Sequence, residues 1–346
     1  MIAKENEPLA SLTTLGVGGP ARWFSEAASE ADVADAAAWA QDQGLPLFVL
    51  GGGSNLLIAD AGFHGLVLHI SLRGIAAEDA GRERVYQVAA GEDWDAFATR
   101  AVGENCAGIE CLAGIPGTVG GTPVQNVGAY GQEVASVIER VRAFDLERSE
   151  FVELSAAECG FSYRRSRFNS EDRGRFVVTR VDYRLKPGGT PTIAYPDLQR
   201  AFVERSVAGE PSLAEVADAV RRIRRTKGML IVEGDPDCRS AGSFFKNPVI
   251  SAEQFRKIGE RGATPASFPA GLGMVKVPAA WLVEQAGFSK GYASGAAGIS
   301  SRHTLALVNR GGATAAEILG LAQQISARVV AQFDIRLEME PVMLGF

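Results

Sequence analysis

Leu47-Phe48-Val49-Leu50-Gly51-Gly52-Gly53-Ser54-Asn55-Leu56-Leu57-Ile58 sets a run of glycines between two apolar runs. Short apolar runs bounded by turn residues read as buried strands, so these glycines join strand to strand. A dinucleotide fold of the Rossmann type needs its glycines between a strand and a helix, and this setting excludes it. No G-x-x-x-x-G-K-[ST] occurs either, which removes the P-loop.

Working outward, residues 30–43 carry Val33, Ala36, Ala37 and Ala40 at helical spacing, and Gly44-Leu45-Pro46 closes the helix before the strand. Downstream, strands are expected at 66–70, 85–90, 141–146, 151–154 and 176–185, with a helix at 93–104. Strands and helices mix without regular βαβ alternation, which points to an α+β fold. Lys186-Pro187-Gly188-Gly189-Thr190-Pro191 reads as a boundary. The expected domains are therefore 1–187, divisible near 70/71, and 188–346. In the second, Ser212-Leu213-Ala214-Glu215 has capping-box spacing and opens a helix ending near Gly228, and Pro278 and Gly287 bracket another. Thr314-Ala315-Ala316-Glu317 opens a long helix with Ile318, Leu321, Ile325, Val329 and Phe333 on one face. Ile335, Leu337 and Met339 then alternate with Arg336, Glu338 and Glu340, as in a last strand.

A chain of 346 residues exceeds one hydrophobic core. With 46% hydrophobic and 22% charged residues it should fold throughout. A net charge of −6 provides no field for nucleic acid or an anionic membrane, so an anionic ligand must be held by a local site. The N-terminus shows no leader pattern and no segment reaches the roughly 20 apolar residues of a bilayer span, so a soluble, cytoplasmic protein is expected. Cys106, Cys111, Cys159 and Cys238 form no C-x-x-C pair, and with three histidines they suggest neither a metal site nor a disulfide frame.

Forty glycines, against a usual share of about 7%, gather at 16–19, 51–53 and 114–131. Gly114-Ile115-Pro116-Gly117-Thr118-Val119-Gly120-Gly121 and Asn126-Val127-Gly128-Ala129-Tyr130-Gly131 place many positions without Cβ atoms in one loop system, where backbone N–H groups can converge on a pyrophosphate. The nearest loop charge is Glu133, so such a cradle is built from neutral amides.

Taken in order, Thr14-Leu15-Gly16-Val17-Gly18-Gly19, Gly51 to Leu57, Gly114 to Gly121, Gln125 to Gly131, Tyr163-Arg164 and Ala241-Gly242-Ser243-Phe244-Phe245-Lys246-Asn247-Pro248 resemble the UDP-N-acetylenolpyruvoylglucosamine reductase (MurB) family over nearly the whole chain. The resemblance implies a PCMH-type, vanillyl-alcohol-oxidase-like FAD domain followed by an α+β substrate domain whose last strand returns to the active site. Ile193-Ala194-Tyr195-Pro196-Asp197-Leu198 looks like the tyrosine-bearing insertion of the family's longer subtype. It further implies non-covalent FAD, NADPH as hydride donor, and a UDP-sugar enolpyruvyl ether reduced to UDP-N-acetylmuramate for peptidoglycan.

Matched residue by residue, the family's catalytic groups fall on Arg164, which would grip the substrate carboxylate, Ser243, the proton donor, and Glu340. The usual Leu-Glu-Pro-Glu-Val reads Leu337-Glu338-Met339-Glu340-Pro341-Val342 here, which keeps Glu338 as an alternative to Glu340. Cofactor contacts fall on Gly51, Gly52, Gly53, Ser54, Asn55, Gly114, Ile115, Pro116, Gly117, Thr118, Gly120, Gly121, Asn126, Gly128, Tyr130 and Gly131. Substrate contacts fall on Tyr195, Lys227, Asn247 and His303, with His303 where better-known members have glutamine and Phe268 where they have tyrosine. Lys246 is a candidate to stabilise the Ser243 alkoxide by sequence proximity. Two rivals stay open: an oxidase of the same fold class, tethering FAD through a residue such as His64, and a nucleotide-sugar binding protein without catalysis.

Overall fold

The computed structural model describes residues 3–203, 209–260 and 264–346. The chain divides into two compact units, each assembled from separate stretches: Met1–Glu7, Ala21–Gly53 and Phe63–Thr226 in the first, Pro8–Pro20, Ser54–Gly62 and Lys227–Phe346 in the second.

The first unit holds two main sheets. In one, the strands Pro20–Ala27 and Leu47–Leu50 both run parallel to Phe63–Ile70, which lies between them. Parallel strands need a long crossover, and helix α1 (Glu30–Asp42) provides it. Ser29 and Asp32 form a reciprocal capping box at its start, and Val33, Ala36 and Ala40 are its buried stripe. The other sheet is antiparallel, in the order Glu150–Ser155, Ile138–Asp145, Phe176–Pro187, Glu83–Ala89, Ile75–Ala80. Helix α2 (Trp94–Gly103), capped by Asp93, buries Trp94 and Phe97 against it, with the Phe97 and Tyr183 ring centroids 5.1 Å apart. Each such buried aromatic contributes about 2–3 kcal/mol. The Tyr183 hydroxyl shares a 2.6 Å hydrogen bond with Thr122, which ties this core to the glycine-rich loop.

Helices α3 (Pro196–Val203) and α4 (Leu213–Thr226) also belong to the first unit. The expected boundary at 187/188 is therefore not where the units part; the division falls at Thr226/Lys227. The reason is packing. Leu198 of α3 and Val216, Ala219 and Val220 of α4 form a small core with Cys111 and Tyr130. The Thr192 N–H donates at 2.8 Å to Glu110, a fully buried carboxylate that also receives Gln132 Nε2 at 2.7 Å.

In the second unit, α5 (Ala252–Gly259), α6 (Ala279–Gln285) and α7 (Ala315–Phe333) accompany short antiparallel sheets. Thr314 and Glu317 form the expected capping box of α7, and Asp60 adds its carboxylate to the Ala315 and Ala316 N–H groups at 2.7 and 2.9 Å. An anion at a helix N-terminus is favoured by the exposed amides and the helix dipole. Ile318, Leu321, Ile325, Val329 and Phe333 are buried as their spacing predicts, in one core with Leu15, Val17 and Leu57. Pro278 serves as N-cap of α6 rather than its first helical residue.

The last strand is displaced from its expected place. Residues 335–340 keep their alternation, with Ile335 and Leu337 buried and Arg336 and Glu338 exposed, but only Met339 makes a bridge, to Phe245. The strand proper is Val342–Leu344, parallel to Leu56–Ile58. The Gly51–Asn55 run thus does join strand to strand, but its two strands belong to different sheets.

Candidate active site

The glycine clusters divide by what surrounds them. A Cβ on Gly52 would lie 2.6 Å from Gly117 Cα, and one on Gly51 2.7 Å from Thr118 Oγ1. These two glycines let two loops lie against each other. Gly18 and Gly19 are crowded in the same way by Ile58 and the Asp60 carbonyl, at 2.6 and 2.2 Å, and the Asn309 amide donates to the Leu15 carbonyl at 3.1 Å. The 16–19 cluster is therefore a packing feature of the second unit. Gly121 is different: it is exposed and its Cβ would meet nothing within 4 Å. Gly53, Gly114, Gly117 and Gly131 have φ of +60°, +73°, +122° and +90°, a region that side chains rarely enter. A turning backbone with an open, side-chain-free face at Gly121 fits the diphosphate of a dinucleotide, as the sequence suggests for FAD.

Asn126 and Tyr130 adopt left-handed backbone at φ +45° and +49°. Asn126 is buried with its amide engaged internally. Its Nδ2 donates to Glu133 at 2.9 Å and to the Ser162 carbonyl at 3.0 Å, and its Oδ1 accepts the Ala135 N–H at 3.1 Å. The side chain of this expected cofactor contact forms an internal clamp. The clamp reaches the turn that carries Arg164. Ser162 and Arg165 exchange backbone hydrogen bonds of 2.9 and 3.1 Å, which puts Tyr163 and Arg164 at the tip of a two-residue turn. Arg164 takes φ +55° there, its guanidinium 5.7 Å from the Tyr163 ring centroid. Strained backbone at a candidate site is itself a pointer to function. Of the neighbouring arginines, Arg165 pairs with Glu171 at 2.5 Å and Arg167 with Asp172 at 2.6 Å, so both are assigned to local acids. Tyr195 is 42% exposed, edge-on to the Tyr130 ring at 5.5 Å.

One residue escaped the sequence reading. Arg224 is 6% exposed and its Nε donates to the Gly114 carbonyl at 2.9 Å. Burial pushes its pKa below the ordinary value; Tyr130 and Asp95 oppose that shift and the like charge of Arg164 adds to it. A guanidinium stays protonated through such changes. The signal was available: Arg224 continues the apolar line Leu213, Val216, Val220 of α4, where a charge is out of place.

In the second unit the peptide of Phe244 joins two predicted catalytic segments. The Phe244 N–H donates to the Leu305 carbonyl at 2.8 Å, and its carbonyl accepts the Glu340 N–H at 2.9 Å. Ser243 is thereby held one residue from the backbone of Glu340, and both side chains are half-buried. Phe244 and Phe245, fully buried, anchor the turn. Asn55 Nδ2 donates to the Glu340 carbonyl at 3.2 Å, and the Asn55 carbonyl accepts the Val342 N–H at 3.0 Å. Thr14 Oγ1 donates to the Ser240 carbonyl at 2.7 Å. Glu338 is 71% exposed and paired with Lys246 Nζ at 2.5 Å. That pairing gives Lys246 a partner other than Ser243, and it favours Glu340 over Glu338. Asn247 Oδ1 accepts the Ala279 N–H at 2.9 Å at the start of α6. His303 Nδ1 accepts the Leu305 N–H at 3.0 Å, which places the proton of its neutral ring on Nε2. Lys227 follows α4 and is half-buried, Phe268 is 54% exposed, and His64 is exposed on its strand. All four cysteines are buried thiols. No helix among the described residues is long and apolar enough to cross a membrane.

Residues 21–155 match the FAD binding domain family, and with the α+β architecture this makes the protein an FAD-dependent oxidoreductase of the PCMH type. Residues 235–344 match the C-terminal domain of UDP-N-acetylenolpyruvoylglucosamine reductase. Reductases of that name from Thermobifida fusca and Paraburkholderia xenovorans are 46% and 42% identical, over 98% and 97% of this chain and 97% and 96% of theirs. The crystal structure of UDP-N-acetylenolpyruvylglucosamine reductase (MurB) from Thermus caldophilus superposes with a TM-score of 0.68 at 26% identity, covering 99% of this chain and 100% of that one. The chain belongs to the UDP-N-acetylenolpyruvoylglucosamine reductase family.

Proposed function

We propose that this reductase uses NADPH to convert UDP-N-acetylenolpyruvoylglucosamine to UDP-N-acetylmuramate, a step toward peptidoglycan precursor. The observation that carries the reading is the Phe244 peptide, which holds Ser243 beside the Glu340 backbone. FAD, when bound, supplies the hydride chemistry that links a nicotinamide donor to an enol ether. The residues with open or left-handed backbone that would hold it are Gly53, Gly114, Gly117, Gly121 and Gly131.

Hydride addition at the terminal methylene carbon of the substrate builds negative charge on the neighbouring carbon and into its carboxylate. Arg164 offers a planar fork that fits a carboxylate bidentately, and its grip tightens as charge develops there. The turn from Ser162 to Arg165 fixes the backbone from which that fork extends. Ser243 delivers the proton that completes the new C–H bond, and Glu340, half-buried, orders the enolate for protonation. Tyr195, Lys227, Asn247 and His303 serve the nucleotide; Lys227 is a mobile point charge for phosphate, and His303 Nε2–H is a donor where an amide would otherwise stand.

The test is anaerobic stopped-flow absorbance at the flavin band for wild type and Ser243→Ala. NADPH should bleach both at similar rates. The enolpyruvyl sugar should restore colour in wild type, and about 10² to 10⁴ times more slowly in the variant. Equal slowing of both half-reactions would remove Ser243 from its role. Bleaching of wild type without recovery would remove the substrate and favour the oxidase reading.

A further inference from the structure

Neutral peptide groups can cradle a pyrophosphate but do not answer its charge, and the acid nearest in the loop, Glu133, has the wrong sign. The fold brings in a cation from elsewhere in the chain. Arg224 reaches across from α4 to the Gly114 carbonyl, while the Gly114 N–H donates to Asp95 Oδ1 of α2 at 2.6 Å. One residue of the loop is thus gripped on its oxygen by α4 and on its nitrogen by α2. Asp95 also receives Arg221 Nη2 at 2.7 Å, one helical turn before Arg224, so the two grips share a support. Tyr130, from the other glycine-rich stretch, packs in the same small core as α4. Burying a guanidinium costs several kcal/mol unless opposite charge and hydrogen bonds offset it. Placing one behind an anion cradle and near a second guanidinium, Arg164, is the arrangement expected where a multiply charged anion is to be held.

We propose that Arg224 supplies the counter-charge of the flavin site: its buried guanidinium, seated on the Gly114 carbonyl, lends positive potential to the anionic part of the bound dinucleotide. That anion can be the diphosphate or the negatively charged ring of the reduced flavin, and the same chemistry serves either. The inference rests on residues 114–131 being the cofactor loop and is independent of which sugar is reduced.

The experiment compares wild type, R224K and R224Q. FAD release from each holoenzyme is followed by fluorescence on dilution, rebinding is competed with ADP, and the two-electron midpoint potential is measured with reference dyes. Gln can still donate to a carbonyl but carries no charge; Lys keeps the charge but loses the planar Nε contact. R224Q should weaken FAD at least about 30-fold, or lower the midpoint by the equivalent of tenfold or more, about 30 mV for two electrons; R224K should stay within about fivefold of wild type. ADP affinity falling in step with that of FAD identifies the diphosphate. A lowered midpoint with oxidised FAD and ADP binding unchanged identifies the reduced ring. Equal losses in both variants, or wild-type binding and potential in R224Q, overturn the proposal. Should R224Q fail to fold, R224K decides alone, because a loss beyond about tenfold with the charge retained is incompatible with it. None of these readouts changes if the sugar substrate is misassigned.

Discussion

Gly52 and Gly121 stand in similar sequence, each beside another glycine in a run read as part of one cradle, yet one faces the Cα of Gly117 and the other faces open space. Where the neighbour is backbone, the missing side chain allows two loops to close on each other. Where nothing is near, it leaves amides reachable by a ligand. Glycine density therefore marks places where a Cβ is not tolerated without saying what takes its room, and only the neighbours decide between packing and binding.

The comparison can be broken most directly at Gly52. Gly52→Ala puts a methyl 2.6 Å from backbone that cannot move alone. It should cost about 2–3 kcal/mol and release FAD, seen as a lowered thermal midpoint and a colourless preparation. Gly121→Ala should leave the midpoint within about 2 °C while weakening FAD, because its cost falls on the ligand and not on the fold. Equal destabilisation by the two would erase the distinction.

A second contrast concerns the clamps. Asn126 holds the arginine turn through a buried side chain, whereas the Phe244 peptide links the segments of Ser243 and Glu340 through backbone groups. Asn126→Ala should cost about 2 kcal/mol in urea unfolding, since it strands buried groups, and should slow substrate turnover more than flavin reduction by NADPH. A change at the Phe244 clamp has no side-chain equivalent.

Asp145 sharpens the view of the first unit's sheet. It is 1% exposed, its carboxylate taking Arg175 Nη2 at 2.6 Å and the Glu147 N–H at 3.0 Å. The Arg175 hydrogen bond, opposed by burial and helped by two backbone N–H groups, lowers its pKa below the usual carboxylate value. A depressed folded-state pKa gives stability that is complete above the unfolded value, about 3.9, and is lost as pH falls below it. Asp145→Asn should therefore be less stable at pH 7, by about 2 kcal/mol, and show a shallower decline below about pH 4. The smallest effect is expected at the Lys246–Glu338 pair, where Glu338 is 71% exposed; Glu338→Gln should change stability by less than about 1 kcal/mol and leave kcat unaltered.

Local periodicity carried most of the helices and long strands: α1, α2, α4 and α7 lie where spacing and capping boxes place them, because each buries one regular face. The last strand was misplaced because the alternation at 335–340 is a burial pattern, and burial alternates along any extended chain whether or not it pairs. The unit boundary was invisible because it depends on Thr192 and Arg224 reaching Glu110 and Gly114, 82 and 110 positions away. At the candidate site, the family motifs pointed to Ser243 and Glu340, and the structure links their segments through the Phe244 peptide. Arg224 was not legible, since nothing in an Arg-rich helix end distinguishes the one arginine that turns inward except its place on the apolar line.

The parallel pairing of Leu56–Ile58 with Val342–Leu344 has a consequence for synthesis. The early strand leaves the ribosome roughly 280 residues before its partner, a wait of about 15–60 s at ordinary elongation rates. The segments Pro8–Pro20 and Ser54–Gly62 of the second unit are made before most of the first unit, and the rest of the second unit follows only from Lys227 onward. The Leu56–Ile58 strand therefore gains its pairing partner only once Val342–Leu344 has been made.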